Sequence, residues 1–132
     1  KKLLAIELTY KINAQRKLCI KKDLIELCQW IDSLSEINNE LTQLKLIEKQ
    51  LLKNGTIEIT LLGVRRKNTL VMATLCKYEQ ELNSEYEYGK NAYNVTRAKE
   101  HERKRDVYTA LMQDFHQLKK TIYQVLITYQ RR

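Results

Sequence analysis

The chain has no proline and only three glycines, Gly55, Gly63 and Gly89, in 132 residues. These are the residues that stop helices. Their scarcity excludes a loop-rich fold and favours long uninterrupted helices. No apolar run approaches the ~20 residues of a membrane span. No continuous apolar stretch follows Lys1-Lys2 that would read as a signal peptide. Cysteine is sparse: Cys19, Cys28 and Cys76 are odd in number and lack CxxC spacing. That excludes a dense secreted disulfide framework and points to free thiols in a reducing, cytoplasmic setting, with the cytoskeleton as one expected location. The chain starts on lysine rather than methionine, so it is expected to be an excised segment of something longer.

Motifs that carry chemistry are missing as well. His101 and His116 are the only histidines, no HExxH occurs, and neither histidine has a cysteine at metal-ligand spacing. There is no GxxxxGK[ST], GxGxxG or GxSxG. The chain therefore reads as non-enzymatic, with no cofactor and no metal, and both histidines read as exposed helical residues. Two N-glycosylation patterns, Asn54-Gly55-Thr56 and Asn94-Val95-Thr96, are short enough to arise by chance.

What the chain does have is apolar residues at spacings of three and four. One stripe runs Leu3, Ile6, Tyr10, then Ile20, Leu24, Leu27, Ile31, Leu34, Leu41, Leu44, Leu51. A second closes on Leu111, Phe115, Leu118, Ile122, Val125, Tyr129. Such a seam is what coiled coils bury. It predicts a helix over about 3–53, with a capping-box pattern at Ser33 and Glu36 as the one candidate break. It predicts a second helix over about 69–131, with a weak point near 88–91 around Gly89. Between them, residues 56–62 alternate polar with β-branched or apolar residues, which is strand periodicity. The expected fold is a single all-α domain: a long antiparallel helical hairpin or coiled coil, with a connector at 54–68 and a short β-like tip around 56–72. In outline this plan is similar to prefoldin-type arms, although no motif carries the likeness.

The formal charge is +8, from 24 basic and 16 acidic residues. Folding the chain about residue 61 sets the basic run 11–22 opposite 100–111, and the acidic run 32–40 opposite 82–90. Like charges facing each other leave two readings: solvated faces, or a partner outside the chain. The expected role is therefore protein–protein interaction and oligomerisation. The packing and dimer seam is Leu24, Leu27, Ile31, Leu34, Leu111, Phe115, Leu118 and Ile122, with a homodimer as the expected assembly. Trp30 is expected to pack in that seam. The alternative is a basic module for an anionic surface (acidic filament tails, anionic membrane or nucleic acid), carried by Lys17, Lys21, Lys22, Arg103, Lys104 and Arg105. Tyrosines interleave with this second cluster, but no nucleic-acid module signature is present, which reads against nucleic acid.

Overall fold

The computed structural model describes residues 2–130, and three long helices account for nearly all of them. Helix α1 spans Lys2–Ile47 and runs unbroken through residues 32–35. It unwinds into one π turn over Glu48–Leu52, which ends at Lys53 in the left-handed region (φ 47°, ψ 46°) with its N–H donating to the Glu48 carbonyl at 2.7 Å. Helix α2 spans Gly55–Tyr88 and α3 spans Val95–Gln130. Both are opened by asparagine. Asn54 Oδ1 accepts from the N–H groups of Thr56 and Ile57 at 3.0 and 3.2 Å, and Asn94 Oδ1 accepts from Arg97 N–H at 3.0 Å. The two glycosylation-like asparagines are thus helix N-caps, each satisfying amides that the first turn would otherwise leave unpaired.

The order of the helices follows from who touches whom. Arg16 meets Glu85, Cys28 meets Glu79, Leu34 meets Asn68, and Thr42 meets Arg65, so α2 runs antiparallel to α1. Glu85 meets Arg97, Tyr78 meets His101, and Lys67 meets Asp114, so α3 runs antiparallel to α2. Glu26 meets His101 and Glu40 meets Lys119, so α3 lies parallel to α1. The chain is an up-down-up three-helix arrangement, closed within itself.

Heptad spacing explains the core. On α1 the buried positions are 16, 20, 23, 27, 30, 34, 37, 41 and 44, alternating steps of four and three. On α2 they are Ile57, Leu61, Val64, Asn68, Leu75, Tyr78 and Leu82, and on α3 they include Leu111, Phe115, Leu118 and Ile122. Asn68 is a polar residue within this apolar layer, and its amide donates to the Leu34 carbonyl at 3.4 Å.

Three expectations are overturned. No strand forms among the described residues, and 56–62 is the opening of α2. The alternation there was real but subordinate. Ile57, Leu61 and Val64 fall on the face that meets the core, while Ile59 points outward. Packing of that face decides the conformation over local strand preference. The likeness to prefoldin-type arms lapses with the tip. Second, the helix expected over 69–131 divides at its expected weak point around Gly89, into the end of α2 and α3. The break is at 89–94, and Arg131 lies outside the described residues. Gly89 is required there, because a Cβ would collide with the Glu85 carbonyl and carboxylate. Third, the first turn falls at 53–54 and not near 61, so the expected like-charge alignment does not arise. The basic stretch of α1 meets the acidic end of α2, and Glu40 is paired with Lys119 at 2.9 Å.

Gly63 lies inside α2 with open space where a Cβ would stand. Gly63→Ala is expected to stabilise the chain by about 0.5–1 kcal/mol, through lost freedom in the unfolded state and better helix propensity. A rise of a few degrees in the thermal midpoint would show it; a fall would mean that the position is not mid-helix.

Candidate functional site

The densest chemistry sits where α1, α2 and the start of α3 meet. Positions 23, 26 and 30 of α1 share a face with one another, and so do 101, 105 and 108 of α3. Their junction builds a polar layer inside the bundle. His101 is only 3% exposed. Its Nε2 lies 2.6 Å from Glu26 Oε1 and its Nδ1 lies 2.7 Å from the Tyr78 hydroxyl. A carboxylate only accepts, so Nε2 carries the proton toward Glu26, and the Tyr78 O–H donates to Nδ1. Arg105 Nη2 donates to the same Glu26 oxygen at 2.7 Å. The Tyr93 hydroxyl donates to Asp23 Oδ2 at 2.5 Å, and Asp23 Oδ1 lies 3.6 Å from His101 Nε2.

Aromatic rings close the layer. The Trp30 ring stacks on His101 with centroids 5.0 Å apart and on Tyr108 at 5.6 Å, and the Arg105 guanidinium lies 5.9 Å from its centroid. Next to this layer Arg16, 2% exposed, reaches the end of α2. It donates to the Glu85 carbonyl at 2.5 Å and is oriented by Asn13 Oδ1 at 2.9 Å. A cation on the last carbonyls of a helix opposes the negative end of the helix dipole. Arg97 holds Glu85 from the other side at 2.7 Å.

The electrostatics follow from this packing. Burial pulls the Glu26 carboxyl up, but hydrogen bonds from Arg105 and His101 and the Arg105 charge outweigh it and hold it below the ordinary 4.5. Hydrogen bonding to Lys104 does the same for Glu100. Burial pushes the Tyr78 hydroxyl well above its ordinary value, with the Asp23 charge adding to it, and burial together with the bond to Asp23 does likewise for Tyr93. A cleft of roughly 850 Å³ opens beside the layer, lined by Asp23, Tyr78, Glu85, Tyr93, Arg97 and Glu100. Both hydroxyls on its floor are already spent on internal acceptors, and hydroxyls held above their usual pKa are poor nucleophiles. No group of three or more His, Cys, Asp or Glu side chains among the described residues is placed to hold a metal ion. This layer can fix the register and order of three helices, since polar groups buried among apolar ones penalise every misaligned packing.

Glu26 sets a pH dependence. Its folded value lies below its unfolded one, so its contribution to stability is complete above about pH 4.5 and drains away as pH falls through the folded value. Glu26→Gln is expected to flatten the acid limb of stability, measured by urea unfolding between about pH 6 and 3. An unchanged acid limb would remove Glu26 as a contributor.

The structure distributes the sequence-derived candidates as follows. Leu27, Leu34, Leu111, Phe115, Leu118 and Ile122 are buried in the core of the single chain, and Leu24 and Ile31 are half-buried against it. The side chain of Tyr129 lies outside the described set. The basic residues do not gather into one free surface. Arg103 and Lys104 pair with Glu100 at 2.8 and 3.0 Å, Arg105 pairs with Glu26, and Lys17 lies over the Tyr86 ring. Lys21 and Lys22 are exposed. His101, expected at the surface, is buried; His116 is exposed. Sequence reading missed Arg16, Asp23, Glu26 and Tyr78. The signal was there for three of them, because Arg16 and Asp23 fall fourteen and seven residues before Trp30 on the buried seam, and Tyr78 continues the 3-4 spacing of Leu75 and Leu82.

No helix of the described residues is long and apolar enough to cross a membrane. Compared with known proteins, the chain matches no family model, no curated protein and no solved structure.

Proposed function

We propose that this chain is a non-enzymatic helical interaction module, a coiled-coil-type scaffold element that assembles with another helical surface inside the cell. One observation carries the reading. The first two turns and more of α1 extend past the bundle as an arm, and every described residue from Lys2 to Gln15 is exposed. Seven of the ten residues from Leu3 to Ile12 are apolar. A helix that is apolar over most of its circumference is normally covered. The rest of the molecule supports the same reading. Glu26, Tyr78, Tyr93 and His101 of the polar layer are hydrogen-bonded within the chain, which suits a role in aligning helices, and all three cysteines are free, which suits reducing surroundings.

The competing reading is an anionic partner held by charge, with the exposed Lys21 and Lys22 as its contacts. Sedimentation equilibrium at low and high salt separates the two. Association through apolar residues is expected to survive high salt, whereas charge-driven binding weakens steeply as salt rises. Deleting residues 1–12 is expected to leave the helical signal of the bundle and remove association. Loss of the bundle itself on deletion would contradict the arm's being a separate docking element.

A further inference from the structure

At the end of the bundle away from the arm, a groove of roughly 510 Å³ lies between the close of α1 and the opening of α2. That is within the size range of small-molecule sites. Leu41 and Glu48 are seven residues apart, so both follow the buried seam of α1. With Leu61 of α2 they make the floor, at 1%, 5% and 5% exposure. Leu62 adds an apolar wall. The rim is charged: Lys45, Lys49, Lys53 and Arg65 stand around it, with Glu58 as the one acid. The three lysines are exposed, and Arg65 Nη2 donates to the Thr42 hydroxyl at 2.7 Å. Glu48 is unusual. A carboxylate this buried is normally paired, because losing its hydration is costly. Among the described residues, none hydrogen-bonds its carboxylate and no Lys, Arg or His nitrogen lies within 4.0 Å of it.

We infer that this groove binds a small zwitterion, an α-amino acid with an aliphatic side chain, with its ammonium on Glu48 and its carboxylate at the rim. The floor calls for a donor, since an unpaired carboxylate only accepts. The rim calls for an acceptor. Four cations against Glu58 repel a plain amine or a metal ion and draw in negative charge. The N-terminal end of α2 at Gly55 adds to this, because the helix dipole there favours an anionic group. A plain anion satisfies the rim but sets its charge against Glu48 and leaves that carboxylate without a donor. A ligand carrying both charges answers floor and rim together. Leu41, Leu61 and Leu62 then cover its aliphatic body, and burying that body supplies the apolar part of the binding. The site is at the opposite end of α1 from the arm and does not depend on what covers the arm.

L-Leucine is the probe, titrated into the unaltered chain and followed by amide chemical shifts. Saturable shifts are expected over residues 45–62, with a Kd of about 1 mM or tighter. Two analogues separate the charges: 4-methylpentanoate lacks the amine, and 3-methylbutylamine lacks the carboxylate. Each is expected to bind at least about 10-fold more weakly than leucine. Glu48→Gln keeps the shape of the side chain and is expected to weaken leucine at least about 10-fold with unchanged helical signal. Lys49→Gln, at an exposed rim position, is expected to weaken leucine without weakening 3-methylbutylamine, and it decides the matter should Glu48→Gln fail to fold. The absence of any saturable shift up to about 50 mM leucine would show that the groove takes no such ligand. Equal binding of leucine and 4-methylpentanoate would make the groove a plain anion patch and overturn the assignment.

Discussion

Replacing Leu27 and Leu118 together by aspartate is expected to unfold the chain. Leu27 is fully buried and Leu118 nearly so, at 0% and 2% exposure, and both belong to one apolar cluster that all three helices share. An ionised carboxylate placed there has no counter-charge, and its desolvation costs several kcal/mol or more at each site. A domain of this size is stable by only about 5–15 kcal/mol, so two such sites exceed what the fold can absorb. Circular dichroism at neutral pH is expected to show loss of most helical signal. A retained helical signal would mean that the seam residues do not form the core. The contrast with Leu8→Asp is the informative part. The same chemical change nineteen residues before Leu27 in the same helix is expected to leave the fold intact, because Leu8 is 61% exposed.

Trp30→Ala is the second large effect. Trp30 fills the space between His101 and Tyr108, and its ring is the apolar wall against which Glu26, His101 and Arg105 are aligned. Truncation removes the largest side chain in the layer and leaves a cavity beside buried polar groups. The expected loss is about 3–5 kcal/mol. Trp30→Phe keeps an aromatic face toward His101 and is expected to recover more than half of it. Urea unfolding of the three proteins provides the comparison. A loss under about 1 kcal/mol for Trp30→Ala would show that the layer is held by its hydrogen bonds alone.

The long helices, the core leucines and the weak point at Gly89 were all legible in the sequence, and for a common reason. Each is a local signal: heptad spacing along one helix, or a lone glycine in a chain without proline. Two things were not legible. The opening of α2 at 55–62 reads as a strand because Ile57, Ile59 and Thr60 are β-branched, and only α1 and α3 lying alongside give the helical face of Ile57, Leu61 and Val64 something to bury against. A misplaced first turn then misaligned the charges as well, and that produced the expectation of facing like charges and a basic surface awaiting a partner. In the folded chain Arg16 closes the end of α2, while Arg105 and Lys104 are committed to Glu26 and Glu100. The polar layer was hidden for a related reason. Glu26, Tyr78 and His101 are far apart in sequence, and each alone looks like an ordinary helical surface residue.

Amide hydrogen exchange, followed below and above the concentration at which the chain associates, tests the central claim most directly: a three-helix core closed within one chain and an arm left for another helical surface. Slow exchange is expected over residues 20–44, 57–82 and 101–122 at both concentrations, because that protection needs no partner. Residues 3–12 are expected to exchange fast in dilute solution and to become protected on association. Core amides that gained protection only on association would contradict the account, since the helices would then be closing between chains and not within one.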